Sequence, residues 1–145
     1  MKQLQEVVLI TGCGSGIGQA LARAFHRSGQ RVCATARRLD TLAPLQAEGM
    51  LVRELDVTDA QATAALLASL HSEGLAVGTL VNNAGYGSYG AVEDVSLEEA
   101  RAQFEVNVFG AVRLIQLALP HMRRNRSGTI VNITSMGGKI HTPLG

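Results

Sequence analysis

Gly12, Gly16 and Gly18 stand in the stretch TGCGSGIG (Thr11–Gly18), between an apolar run, VVLI, and a stretch of helical periodicity, QALARAFHRSG. Glycines at this G-x-x-x-G-x-G spacing let a backbone turn sharply, come close to a bulky anion and pack tightly on a sheet. The unpaired N–H groups and positive dipole end of the following helix favour a pyrophosphate. The spacing alone would equally suit a tight strand-to-helix corner. No GK[ST] follows, so the lysine and magnesium-binding hydroxyl of an ATP-hydrolysing P-loop are missing.

The elements that must position this turn read clearly. Apolar runs at 7–11, 31–36, 50–55, 79–83 and 129–134 predict five strands, alternating with helical patterns at 16–28, 39–48, 59–72 and 96–124. Ile17, Leu21, Ala24 and Phe25 recur at helical spacing, as a face covering a sheet would. Thr58 and Ser96 are the expected N-caps, with Gln61 and Glu99 three residues on, and Gly29 and Gly74 the expected C-terminal stops. Strands with little alternation imply burial on both faces, hence helices on both sides. The expected fold class is α/β: a doubly wound parallel sheet in three α/β/α layers. Right-handed crossovers then open a crevice where the strand order reverses. The glycine turn, ATARR, LDVTD, NNAGYG and NITSMGG each follow a predicted strand and converge there.

Composition narrows the function. Hydrophobic residues make up 46% of 145, charged ones 17%, and the net charge is +1, which argues against disorder and against a nucleic-acid footprint. No segment has the form of a signal peptide or is long and apolar enough to span a bilayer, so no membrane partner is expected. The cysteines, Cys13 and Cys33, read as reduced thiols, and a cytoplasmic location follows. Cys13, at a helix N-terminus, is either a small residue in a tight place or an activated thiol. The histidines have no ligand spacing, so no metal is expected. The basic stretch RRNRSG (Arg123–Gly128) reads as charge complementing a helix C-terminus, with anion or RNA binding as the alternative. Tyr86, Tyr89 and Val92 either face a substrate or fold a loop.

Taken in order, TGCGSGIG, LDV, NNAG, FEVNVFG and IVNITSMGG resemble the short-chain dehydrogenase/reductase family along essentially the whole chain. The phrasing NNAGYGSYGAVEDVSLEEARAQFEVNVFGAVRLIQ is similar to the branch of hydroxysteroid and retinol dehydrogenase-like enzymes. The resemblance implies a Rossmann-type sheet, residues 1–145 forming one dinucleotide-binding domain that stops after the fifth strand. It implies that Gly12, Ser15, Gly16, Ile17 and Gly18 wrap a pyrophosphate, and that Asp56 and Val57 border the adenine. Asp56 has the alternative of starting the next helix. Asn83, Ala84 and Gly85 would floor the ribose sites, while the asparagines also tie the sheet together.

Enzymes selecting NAD commonly place an acid at the end of the second strand, where this chain has Ala36. Arg37 and Arg38 follow, and a guanidinium suits the 2′-phosphate of NADP, although paired arginines are also ordinary surface charge. NADP is therefore the expected cofactor, with NAD possible and Arg37 the stronger candidate. The expected reaction is hydride transfer between nicotinamide and the carbonyl or secondary alcohol of a small, lipophilic substrate, by a homo-oligomer when full length. Of the family's Asn-Ser-Tyr-Lys set, Asn107 would anchor a relay water and Ser135 would hold the substrate oxygen. Asn107 falls inside a predicted helix, where a local distortion is expected. Its alternative role is a helix-to-strand hydrogen bond, and that of Ser135 is turn chemistry.

No tyrosine here is followed four residues later by lysine, and the resemblance places that tyrosine about thirteen residues after Ser135, beyond Gly145. The chain is thus expected to be the N-terminal portion of a dehydrogenase. A positioned general acid is typically worth about 10² to 10⁴ in rate, so these 145 residues alone are expected to be nearly inactive. The alternative is a non-catalytic dinucleotide-binding or subunit-pairing module.

Overall fold

Five parallel strands form one sheet in the order β3-β2-β1-β4-β5 in the computed structural model, which describes residues 4–140. They are β1 (Gln5–Ile10), β2 (Val32–Ala36), β3 (Leu51–Glu54), β4 (Leu75–Asn82) and β5 (Thr129–Asn132). The order reverses between β1 and β4, as the doubly wound expectation requires. On one face, α1 (Gly16–Arg27), a 3-10 turn (Leu39–Leu42) and α2 (Ala43–Ala47) cover Val8, Ile10, Ala34 and Val81 with Ala22, Leu42 and Leu45. On the other, α3 (Ala60–Ser72) and α5 (Ala111–Asn125) cover Val7, Leu9, Val77 and Leu80 with Leu66, Leu70, Leu114, Ala118 and Met122. Three layers result, and β2 is buried at every position.

Several local expectations shift. The fourth strand begins at Leu75 rather than Thr79, because a register irregularity between Val7 and Val8 lets the segment around Gly78 keep pairing with β1. The α3 cap is Asp59, whose Oδ1 accepts from Ala62 N at 2.9 Å. The Thr58 side chain is instead turned towards Asp56, its N–H and hydroxyl both donating to Asp56 Oδ1, at 2.9 and 2.7 Å. Ser96 does cap α4 (Leu97–Phe104), accepting from Glu99 N at 3.1 Å, but the Glu99 carboxylate turns to the Ser88 hydroxyl instead of closing the box. The long predicted helix divides into α4, a π-helical turn (Glu105–Gly110) and α5, so the distortion expected around Asn107 is present. In α1 the buried face is Gly18 and Ala22 with Leu21 and Phe25 packed beside them; Ala24 is exposed and Ile17 is 61% exposed. β5 is half-buried at best and is an edge strand among the described residues.

One residue ties the first turn to the fourth strand. The Thr11 hydroxyl, buried, accepts from the N–H groups of Asn83 and Ala84, both at 3.0 Å. Thr11→Val keeps the shape and removes the acceptor from two partly buried donors. It should lower stability by about 1–3 kcal/mol, read from the urea unfolding midpoint.

Candidate functional site

The C-terminal ends of β1 and β4 lie side by side, and the turns leaving them interlock. Asn83 Nδ2 donates to the carbonyl oxygens of Thr11 and Gly12, at 2.9 and 3.1 Å. Gly12 adopts φ +70°, and a Cβ on it would lie 2.9 Å from Ala84 Cα. A Cβ on Gly18 would lie 2.8 Å from the Gly12 carbonyl carbon and 2.7 Å from Asn83 Nδ2. Side chains are excluded at both positions by neighbouring atoms. Gly16 differs: it has φ +52° with open space around it, which leaves its backbone accessible from the cleft. Ser15 precedes α1 in extended conformation, and no side chain caps the helix. Among the described residues the first-turn N–H groups of α1 therefore lack a side-chain acceptor and suit an anion.

Two connected clefts share this turn. A cleft of about 470 Å³ is lined by Gly12, Gly14, Ser15, Ala36, Arg37, Arg38, Thr41, Leu55, Asp56, Val57, Ala84, Gly85, Tyr86 and Val106. A wider one of about 880 Å³ runs from Gly12, Ser15, Gly16, Ile17 and Gly18 past Asn83 and Gly85 to Tyr89, Asn107, Ile133, Ser135 and Met136. All the residues singled out for cofactor and chemistry thus border one continuous trough. The structure also adds positions to which the motifs assign no role. Thr41 lines the trough, Thr11 holds its floor, and Arg113 binds the Val57 carbonyl.

The two arginines after β2 are not equivalent. Arg38 is paired with Asp40 through both ends of its guanidinium, with Nε donating to Oδ1 at 3.1 Å. Arg37 is exposed and, among the described residues, makes no hydrogen bond or ion pair, while its charge acts on Asp56. Loss of solvent pulls the Asp56 carboxyl upward, but the N–H and hydroxyl of Thr58 and the charge of Arg37 outweigh this and hold it below the ordinary carboxylate range. Asp56 therefore shapes the turn into α3 and borders the cleft at once.

At the other end, Asn107 clasps the backbone of Tyr86: its Nδ2 donates to the Tyr86 carbonyl at 2.8 Å and its Oδ1 accepts from the Tyr86 N–H at 3.0 Å. The side-chain bond is to the loop after β4 rather than to a strand. The π turn, with its altered ladder, is what presents Asn107 at this level. Ser135 caps a short 3-10 turn (Met136–Gly138), its Oγ accepting from Gly137 N at 3.1 Å, which leaves its proton free to donate into the wider cleft. The segment after Ile140, which the resemblance leads towards a tyrosine-bearing helix, lies outside the described residues. Both cysteines are buried free thiols, pushed up to about 12 mainly by desolvation, so Cys13 is the small residue in a tight place and not an activated nucleophile.

A family model described as short chain dehydrogenase matches residues 6–145. The chain belongs to the short-chain dehydrogenase family. It is 40% identical over 148 residues to human retinol dehydrogenase 8, covering 95% of this chain and 47% of that protein. A short-chain dehydrogenase structure from Streptomyces avermitilis superposes with a TM-score of 0.91 at 40% identity, over 97% of this chain and 53% of the other. The closed form of a serine dehydrogenase complexed with NADP+ gives 0.90 at 33% identity, over 96% and 58%. This short-chain dehydrogenase chain spans about half the length of the curated relatives it matches. Among the described residues, no helix is long and apolar enough to cross a membrane.

The lowered carboxyl of Asp56 carries a pH signature. Its contribution to stability is present above the unfolded value, about pH 4, and is lost as pH falls through the lower folded value. Asp56→Asn keeps the oxygen that Thr58 needs but removes the charge. Its acid unfolding limb below about pH 4 should be flatter than that of the parent, measured by circular dichroism against pH.

Proposed function

We propose that the protein containing this chain is an NADP(H)-dependent oxidoreductase that moves a hydride between the nicotinamide and the carbonyl or alcohol carbon of a small, lipophilic substrate. The observation that carries the reading is the pair of features at the ends of β1 and β2: helix N–H groups with no side-chain cap among the described residues beside a glycine-lined approach, and the exposed Arg37 directly after β2, whose last residue is Ala36 and not an acid. The cradle fits a dinucleotide, because a Cβ at Gly12 or Gly18 would meet backbone and Gly16 is open to the cleft. In this reading Gly12, Ser15, Gly16, Ile17 and Gly18 hold the pyrophosphate and Arg37 holds the 2′-phosphate. Arg38, neutralised by Asp40, plays a lesser part. Asp56 and Val57 border the adenine, and Asn83, Ala84 and Gly85 lie under the riboses.

When bound, the nicotinamide supplies or accepts the hydride. The Ser135 hydroxyl donates to the substrate oxygen, and Asn107 keeps the Tyr86 loop in place while serving a relay water. The exposed Tyr86, Tyr89, Met136 and Ile140 around the wide cleft favour an apolar substrate. Proton donation is assigned to a tyrosine with its lysine, which the 145 residues do not contain at the family's spacing. Residues 1–145 are read as the dinucleotide-binding part, nearly inactive alone. The buried free thiols accord with a reducing cytoplasm, and exposed Phe104, Val108, Phe109 and Val112 accord with a homo-oligomer.

Titration of NADP(H) and NAD(H) against the full-length protein and its Arg37→Ala variant tests the cofactor. The parent should prefer NADP(H), and the variant should bind it about tenfold to a hundredfold more weakly with NAD(H) unchanged. Equal affinities throughout would defeat the assignment.

A further inference from the structure

Arg113, in the first turn of α5, grips two other segments at once. Its Nη1 donates to the Val57 carbonyl oxygen at 2.8 Å, and its Nη2 to Glu105 Oε1 in the π turn at 2.9 Å. Val57 is buried and lies so close to Gly110 that a Cβ there would sit 2.9 Å from Val57 Cγ2 and 3.0 Å from its carbonyl oxygen. The Asp56–Val57 wall of the smaller cleft is thus held by a guanidinium and limited by a bare backbone, both from the helical stretch that carries Asn107. At its base the wall hangs from β2, through Leu55 N donating to the Ala36 carbonyl at 2.9 Å. Beyond Leu55, and among the described residues, Arg113 supplies the hydrogen bond that reaches residues 56–57 from a distant element.

Arg113 and Glu105 are partly exposed, and such ion pairs contribute little to stability. A planar fork whose N–H groups engage a carbonyl and a carboxylate together does fix a distance. We infer that Arg113 is a positioning residue for the adenine end of the nucleotide: it sets how far the Val57 wall stands from the glycine turn, and Glu105 orients it. The inference rests on the dinucleotide reading above and adds to it a residue outside every strand-end motif. The π turn acquires a second role, since it aims Asn107 at one end of the trough and anchors the wall at the other.

The test uses the full-length protein and three probes: NADP+, adenosine 2′,5′-bisphosphate and inorganic pyrophosphate, with binding measured by calorimetry or competition. Arg113→Ala should weaken NADP+ and the bisphosphate alike, on the order of tenfold, leave pyrophosphate unchanged, and recover on adding guanidinium ion at non-denaturing concentration. A general structural defect would weaken all three and would not recover. Gly110→Ala, which pushes the same wall from its other side, should reproduce the adenine-selective loss. If Arg113→Ala does not fold, Glu105→Gln decides: weaker bisphosphate binding supports the role, and unchanged binding overturns it. If the parent binds NADP+ but Arg113→Ala binds it equally well, the positioning role fails and the dinucleotide reading stands. If the parent binds no nucleotide, both fail.

Discussion

The structure depends on one close approach, that of the first turn to the end of β4. Gly12 and Gly18 exclude a Cβ at the contact, and Asn83 and Thr11 lock it with hydrogen bonds in both directions across the β1–β4 boundary. Each bond is modest, but each joins a side chain to a partly buried main-chain N–H or carbonyl that needs a partner. The side chain at the α1 cap position, Ser15, takes no part in these ties and, among the described residues, does not cap the helix either. The helix N-terminus lines the trough, and no side chain among the described residues caps it.

The second boundary of the trough is built by a different device. A regular helix from Ser96 to Arg124 would satisfy its own backbone and keep its side chains at helical spacing. The π turn breaks that regularity between α4 and α5. Its asparagine then clasps the Tyr86 backbone, and its glycine receives Val57. Electrostatics finishes the arrangement: Arg38 is paired with Asp40, while Arg37, near the lowered carboxyl of Asp56, has no ion pair among the described residues.

Much of this was legible in the sequence, for physical reasons that also mark where legibility stopped. Parallel strands buried on both faces leave continuous apolar runs, and glycines followed by helical periodicity mark the turn, so the sheet and the doubly wound order could be read. The choice of Asp59 over Thr58 as cap turned on Asp56 capturing Thr58, a competition between adjacent capable residues that spacing does not settle. The start of β4 was hidden because Gly78 interrupts the strand pattern. Ile17 fitted an apolar helical face but points to the cleft, since the tight packing falls to Gly18 and Ala22. The sheet tie made by Asn83 is the one the NNAG asparagines suggest, whereas those made by Thr11 and Arg113 join segments far apart in the chain, and a local pattern carries no record of them.

The central claim is that the bare approach of Gly18 to the Gly12 carbonyl aims the α1 N–H groups at a dinucleotide pyrophosphate. Calorimetric titration of NADP+ into the full-length protein and its Gly18→Ala variant, with folding checked by circular dichroism, tests it most directly. The account predicts saturable uptake by the parent and at least about a hundredfold weaker binding by the folded variant. Uptake by the variant with the parent's affinity, or none by the parent, would contradict it.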